Sequence, residues 1–133
     1  MRDLIERGVV ASVHDASDGG LLVAIAEMAL SGGYGAHVGG GPLLKDERFS
    51  ETAHLFGEDQ GNYVVAVPPE NLEQFLSICK EYSVAGWSVG ETTSSALGLQ
   101  ILQNVEPGIS LTDLRAAHEG FFPTLMGADA ALA

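Results

Sequence analysis

The apolar positions Leu72, Phe75, Leu76, Cys79 and Tyr82 recur at steps of three and four, and Glu73, Gln74, Ser77, Lys80 and Glu81 take the places between them. A stripe of that period predicts an amphipathic helix over "ENLEQFLSICKEY", the clearest in the chain. Pro68 and Pro69 open it and also stop the strand predicted at residues 63–67, "YVVAV", because proline has no N–H to give to a ladder. "VVASV" at 9–13 is a short β-branched run that predicts a strand covered on both faces. Residues 20–31, "GLLVAIAEMALS", are good helix formers with a single charge, so this helix is expected to be buried almost all round.

The remaining segments are weaker. Residues 3–7 read as the last turns of a helix ended by Gly8, and the abrupt start suggests a helix that began upstream in a longer protein. Residues 32–42 hold six of the 17 glycines; they end the buried helix, leave room for a short strand at "AHV", and suit either a flexible linker or a tight functional loop. Residues 42–55 alternate apolar and charged groups at helical spacing until "FGEDQGN" (56–62) breaks the pattern. "GWSVGE" (86–91) and "LGLQIL" (97–102) read as strands, and 110–126 as a helix with Ser110 as its N-cap. The tail from Gly127 is expected to fray. The order of elements suggests one domain over 1–133 of class α/β (α+β): a mixed sheet with helices mainly on one face.

Charge narrows the partners. Eighteen acidic residues against six basic ones give a net charge of −12, a field that repels nucleic acid and anionic membrane surfaces. The longest apolar stretch, 21–30, is interrupted by Glu27 and is too short to span a bilayer. No signal peptide is evident, and the single cysteine, Cys79, excludes an internal disulfide, which fits a cytoplasmic protein. Cys79 lies on the apolar face of its helix and is read as a core residue.

The chemistry concentrates in "HDASDGG", His14 to Gly20, between a strand and a helix. Such a turn presents free N–H groups at a helix start, where the dipole favours an anion, and Gly19 and Gly20 let a ligand approach the backbone. The alternative is that Ser17 or Asp18 simply caps the helix. No lysine or arginine occurs between Arg7 and Lys45. A phosphate held here would therefore meet Asp15 and Asp18 without a side-chain cation, a conflict that a Mg²⁺ ion would resolve. His14 is read as an orienting or structural residue, and no second histidine stands at zinc-ligand spacing. The "FGEDQGN" segment could aim Glu58, Asp59 and Gln60 at a ligand or be a solvated turn. His37, His54 and His118 are assigned no chemistry, and no nucleophile–base–orienter spacing of the hydrolase kind is present.

Taken together, "HDASDGGL" (14–21), "AEMA" (26–29), "LFGEDQGN" (55–62) and the closing "DLRAAHEGFFP" (113–123) resemble the final domain of the phosphoribosylformylglycinamidine synthase family, in its small bacterial form and in the expected order. "SDGG" followed by "FGEDQG" favours this family over its sisters: aminoimidazole ribonucleotide synthetase, selenophosphate synthetase, thiamine-monophosphate kinase and the hydrogenase-maturation carbamoyl dehydratase. One departure is Asn62, where the family often has arginine.

The resemblance implies an ATP- and Mg²⁺-dependent ligase of purine biosynthesis. Such an enzyme converts formylglycinamide ribonucleotide and glutamine-derived ammonia to formylglycinamidine ribonucleotide, with a glutaminase subunit and a small accessory subunit as partners. The family's catalytic histidine and a "GNVSLYNE"-type substrate segment lie upstream of the matched part, so this piece is expected to be inactive alone and to supply no catalytic residue. The resemblance also implies that Asp15 and Ser17 meet the metal and phosphates of a nucleotide, or survive as a well-capped remnant of such a seat. A face that packs on the rest of the subunit would favour self-association of the piece.

Overall fold

The computed structural model describes residues 1–39, 50–95, 98–101 and 108–127. Helix α1 (Arg2–Glu6) ends at Gly8, whose φ of +65° turns the chain back so that Val9 N–H donates to the Leu4 carbonyl. Val9 is fully buried against Leu4 and Ile78. This burial takes Val9 and Val10 out of the predicted strand: β1 runs Ser12–Asp15, two to three residues later than the apolar run, and pairs antiparallel with β3 (Tyr63–Ala66), Ser12 opposite Ala66 and Asp15 opposite Tyr63. Nor is β1 covered on both faces. Ser12 and Asp15 are exposed and Val13 and His14 half-buried, because among the described residues this ladder has two strands only.

Helix α2 (Gly20–Gly32) follows the turn, and no residue from Gly20 to Leu30 is fully exposed, as its apolar run predicts. Gly33, in the left-handed region at φ +70°, ends it. The "AHV" segment becomes β2 (Gly35–Val38), the centre of a mixed sheet: antiparallel to β4 (Gly90–Thr93) and parallel to β5 (Leu99–Ile101). The α/β class and the mixed sheet stand, while β1 and β3 form a separate ladder. β4 is shorter than predicted. β4 starts at Gly90, where any Cβ would collide with the His37 carbonyl, and leaves Trp87 half-exposed outside the ladder. Leu97 and Leu102 lie outside the described residues.

Leu22 and Ile25 of α2, Ala36 and Val38 of β2, Leu55 and Leu99 form the main core, with Leu55 contributed by α3 (Glu51–Phe56). Ser50 caps α3 by accepting from Ala53 N–H at 3.2 Å; the rest of the helical segment predicted from residue 42 lies outside the described residues. A 3-10 turn at Pro69–Asn71 leads into α4 (Leu72–Glu81), and Asn71 Nδ2 ties it to the Val9 carbonyl at 3.1 Å. The stripe on α4 is only partly the buried face. Ile78 is buried, with Phe75 packed beside it and Cys79 half-buried, whereas Leu72, Leu76 and Tyr82 are exposed.

Ser110 caps α5 (Leu111–Glu119) as predicted, accepting from Asp113 N–H at 3.0 Å. The single helix predicted to Met126 is instead two, since α6 (Phe121–Leu125) starts anew after Gly120. Pro123 explains the break, because it has no N–H for the Glu119 carbonyl and its ring crowds that position. Beyond Gly127 the predicted frayed tail lies outside the described residues.

Tyr82 offers a local check on how α4 meets α1. Its hydroxyl donates to Asp3 Oδ2 at 3.4 Å, and the Asp3 charge, ahead of burial and the Glu81 charge, holds the phenol above its ordinary 10.0. The unfolded chain therefore loses this proton first, so the contribution to stability is complete below the ordinary value and disappears as pH rises through the raised one. Asp3→Asn is expected to bring the Tyr82 titration back down, followed by the NMR shift of its ring. An unmoved midpoint would place Asp3 elsewhere.

Candidate functional site

The end of β1 is where the two polar motifs meet. Strand residues alternate in direction, and His14 and Asp15 line different clefts, with His14 Nδ1 3.9 Å from Asp15 Oδ1. On the Asp15 side the chain continues through Ala16, whose N–H donates to the Asn62 carbonyl at 2.9 Å and so joins the turn to the start of β3. Asp15, Ser17 and Asp18 here line a cleft of about 280 Å³ together with Glu58, Gln60 and Asn62. "HDASDGG" and "FGEDQGN" are thus the two walls of one site.

The two glycines also serve the chain itself. Gly19 is the N-cap residue of α2 at φ +79°, and neither Ser17 nor Asp18 caps the helix through its side chain. The cap comes from across the cleft: Gly19 N–H donates to Glu58 Oε1 at 2.9 Å, placing a carboxylate where the helix dipole favours one. Gly20 N–H donates to the Ser17 carbonyl at 3.0 Å. Both N–H groups that could have met a phosphate at Gly19 and Gly20 therefore have partners within the chain. Glu58 was not identifiable as this cap, because it lies 39 residues away in sequence; the only signal was its place between two glycines in a polar turn.

The donors that the described residues bring to the cleft are carboxylate, hydroxyl and amide oxygens, with no lysine or arginine among those residues. Such a set suits a hard cation. Among the described residues no three His, Cys, Asp or Glu side chains converge closely enough to hold a metal. A cation beside Asp15 would take its other ligands from phosphate and water. Asn62 turns its amide to the Asp59 carbonyl at 3.4 Å and adds no positive charge.

His14 Nε2 lies 2.9 Å from Glu27 Oε2 of α2. Both line a second cleft of about 290 Å³ with Arg115 and His118 of α5. Arg115 donates to the Leu30 carbonyl at 2.9 Å, which holds α5 to the end of α2. Glu27 was legible as an oddity, the one charge in an apolar run, but its partner was not. His37 lies in β2 and His54 in α3, away from both clefts.

Known proteins share this chain's sequence and fold. The phosphoribosylformylglycinamidine synthase subunit PurL of Sinorhizobium fredii (strain HH103) is 40% identical over 131 residues, 98% of this chain and 16% of that protein. The same subunit of Methylocella silvestris is 41% identical over 128 residues, 96% of this chain and 16% of that protein. The chain thus spans 16% of the length of these curated relatives. Thermotoga maritima PurL complexed with ADP superposes with a TM-score of 0.69 at 22% identity, covering 84% of this chain and 20% of that one. The structure of PurLQS from Thermotoga maritima gives a TM-score of 0.71 at 22% identity, again over 84% of this chain and 20% of that one. These two show the fold. The resemblance read in the motifs holds: matched over residues 1–101, the chain belongs to the family described as AIR synthase related protein, C-terminal domain.

Proposed function

We propose that this chain is one domain at the C-terminal end of an ATP-dependent phosphoribosylformylglycinamidine synthase subunit. The whole enzyme would convert formylglycinamide ribonucleotide, glutamine-derived ammonia and ATP to formylglycinamidine ribonucleotide, ADP and phosphate in the cytoplasm. The observation that carries this reading is the meeting of "HDASDGG" and "FGEDQGN" in one cleft, in a chain about 40% identical to subunits of that name. Its partners would be the rest of the subunit, then the glutaminase and small accessory subunits; the name PurLQS of a structural neighbour fits such an assembly. Leu72, Leu76, Val84 and Trp87 are exposed apolar side chains suited to that packing, and they would favour self-association of the piece alone.

In this reading Asp15 holds Mg²⁺, and Ser17 donates its hydroxyl to a phosphate oxygen. Asp18 completes the polar wall, while Gly19 and Gly20 set the turn. Bound there, Mg²⁺ would neutralise phosphate charge that Asp15, Asp18 and Glu58 would otherwise repel. The chain's own contribution is to hold these oxygens apart and open to the cleft. The capping of α2 by Glu58 favours a second reading, a scaffold that keeps the shape of a nucleotide seat without filling it.

Thermal unfolding with and without Mg²⁺-ADP separates the two. At about a hundredfold over its dissociation constant, a ligand adds roughly 2.7 kcal/mol, a rise of several degrees for a domain of this size. The expected outcome is a rise that needs Mg²⁺ and is lost in Asp15→Ala. A midpoint indifferent to Mg²⁺-ADP would favour the scaffold.

A further inference from the structure

The Asp15 side chain is 67% exposed and its carboxylate meets the chain loosely, with Oδ1 3.9 Å from His14 Nδ1. Its backbone, by contrast, is clamped. The peptide unit joining Asp15 to Ala16 is held at both ends: the carbonyl lies 2.7 Å from His14 Nδ1, and the N–H donates to the Asn62 carbonyl at 2.9 Å. A carbonyl only accepts, so Nδ1 carries the proton of that bond. The other ring nitrogen is engaged too, with Nε2 2.9 Å from Glu27 Oε2. Glu27 stands on α2, the helix that the turn itself begins, so strand end, turn and helix close into a loop of contacts.

We propose that His14, oriented by Glu27, is a positioning residue: it fixes the plane of the Asp15–Ala16 peptide and thereby aims the Asp15 carboxylate into the cleft facing Glu58. A functional constellation tolerates errors of only about 0.5 Å and roughly 10–20°. A strand end next to a glycine pair meets that tolerance only if its peptide plane is fixed. The arrangement follows the logic by which a histidine and carboxylate outside a metal's ligand sphere set the direction of a ligand inside it. It also gives a partner to the lone charge in the apolar run of α2. The inference rests on the reading that Asp15 meets a cation-bound phosphate.

The test measures, on the chain and on its His14→Ala, Glu27→Ala, Glu27→Gln and Asp15→Ala variants, the affinity for Mg²⁺-ADP by calorimetry and the exchange of the Ala16 amide by NMR. His14→Ala is expected to weaken Mg²⁺-ADP by about 10–100-fold. Glu27→Gln, whose amide can either donate to or accept from Nε2, should recover most of the loss caused by Glu27→Ala. Ala16 should exchange faster in His14→Ala and Glu27→Ala while Ala36, whose N–H donates to the Gly98 carbonyl at 2.9 Å in the other sheet, keeps its protection, a selective effect that general destabilisation would not produce. Full affinity in His14→Ala beside lost affinity in Asp15→Ala overturns the positioning role and leaves the site standing. Unchanged affinity in Asp15→Ala, or no binding by the parent chain, removes the reading of the site and this inference with it. Should His14→Ala fail to fold, undiminished protection of Ala16 in Glu27→Ala overturns the proposal by itself.

Discussion

Gly20→Ala is expected to lower the stability of the chain by about 2–5 kcal/mol, a large part of what holds a domain of this size together. Two separate penalties add. Gly20 sits at φ +73°, where an L side chain costs about 1–2 kcal/mol. A Cβ there would also stand 2.7 Å from the Phe56 carbonyl carbon and 2.8 Å from the Gly57 oxygen. These are backbone atoms that cannot rotate aside, so the overlap must be relieved by moving α3 or the turn, at roughly 1–3 kcal/mol. Gly8 supplies the contrast, with a similar φ of +65° and nothing within 4 Å of the place a methyl would occupy, so Gly8→Ala should show the conformational penalty alone. Urea midpoints of both variants decide it. If Gly20→Ala loses no more than Gly8→Ala, the Phe56–Gly57 backbone does not lie on the turn and the two walls of the cleft are not in contact.

The crowding around Gly20 also shows how far the turn was legible. The residues that matter were visible as a cluster, because polar groups and paired glycines between two apolar runs have few structural uses. Their division of labour was not. The backbone of Phe56 and Gly57 packs against Gly20, and the α2 cap that local rules would take from Ser17 or Asp18 comes from Glu58. Local rules could weigh only neighbours in sequence, and the partner came from 39 residues away.

The same limit explains the strands. Of the apolar run at 9–13 only Val9 is buried, and it lies beneath α1 and α4 rather than in a ladder, since apolar character reports removal from water and not hydrogen-bond pairing. Helix α2 and the Ser110 cap were read closely because both depend on residues within one turn of each other. The break at Gly120 was equally local and was available from Pro123, which the helical period had masked.

Ile78→Ala should cost about 2–5 kcal/mol, whereas Leu76→Ala should stay within roughly 0.5 kcal/mol of the parent. The period of the α4 stripe would reverse this ranking, because it counts Leu76 among the inward residues and leaves Ile78 unassigned. The apolar arc of α4 is wider than the seat beneath it. Leu4, Val9 and Val10 offer a small surface, which takes Phe75 and Ile78 and leaves Leu76 at 46% exposure against 5% for Ile78. Equal losses in the two variants would mean that α4 lies on its predicted stripe, rotated from the arrangement described. Ligand affinity distinguishes this seat from the cleft. The Leu4–Val9–Ile78 cluster is separate from the one formed by Leu22, Ile25 and Leu55 beside the turn. Ile78→Ala should therefore lower the unfolding midpoint while leaving the affinity for Mg²⁺-ADP unchanged wherever the variant is still folded. Loss of affinity in step with stability would show instead that the two clusters open as one unit, and that the geometry of the site depends on a packing surface it does not touch.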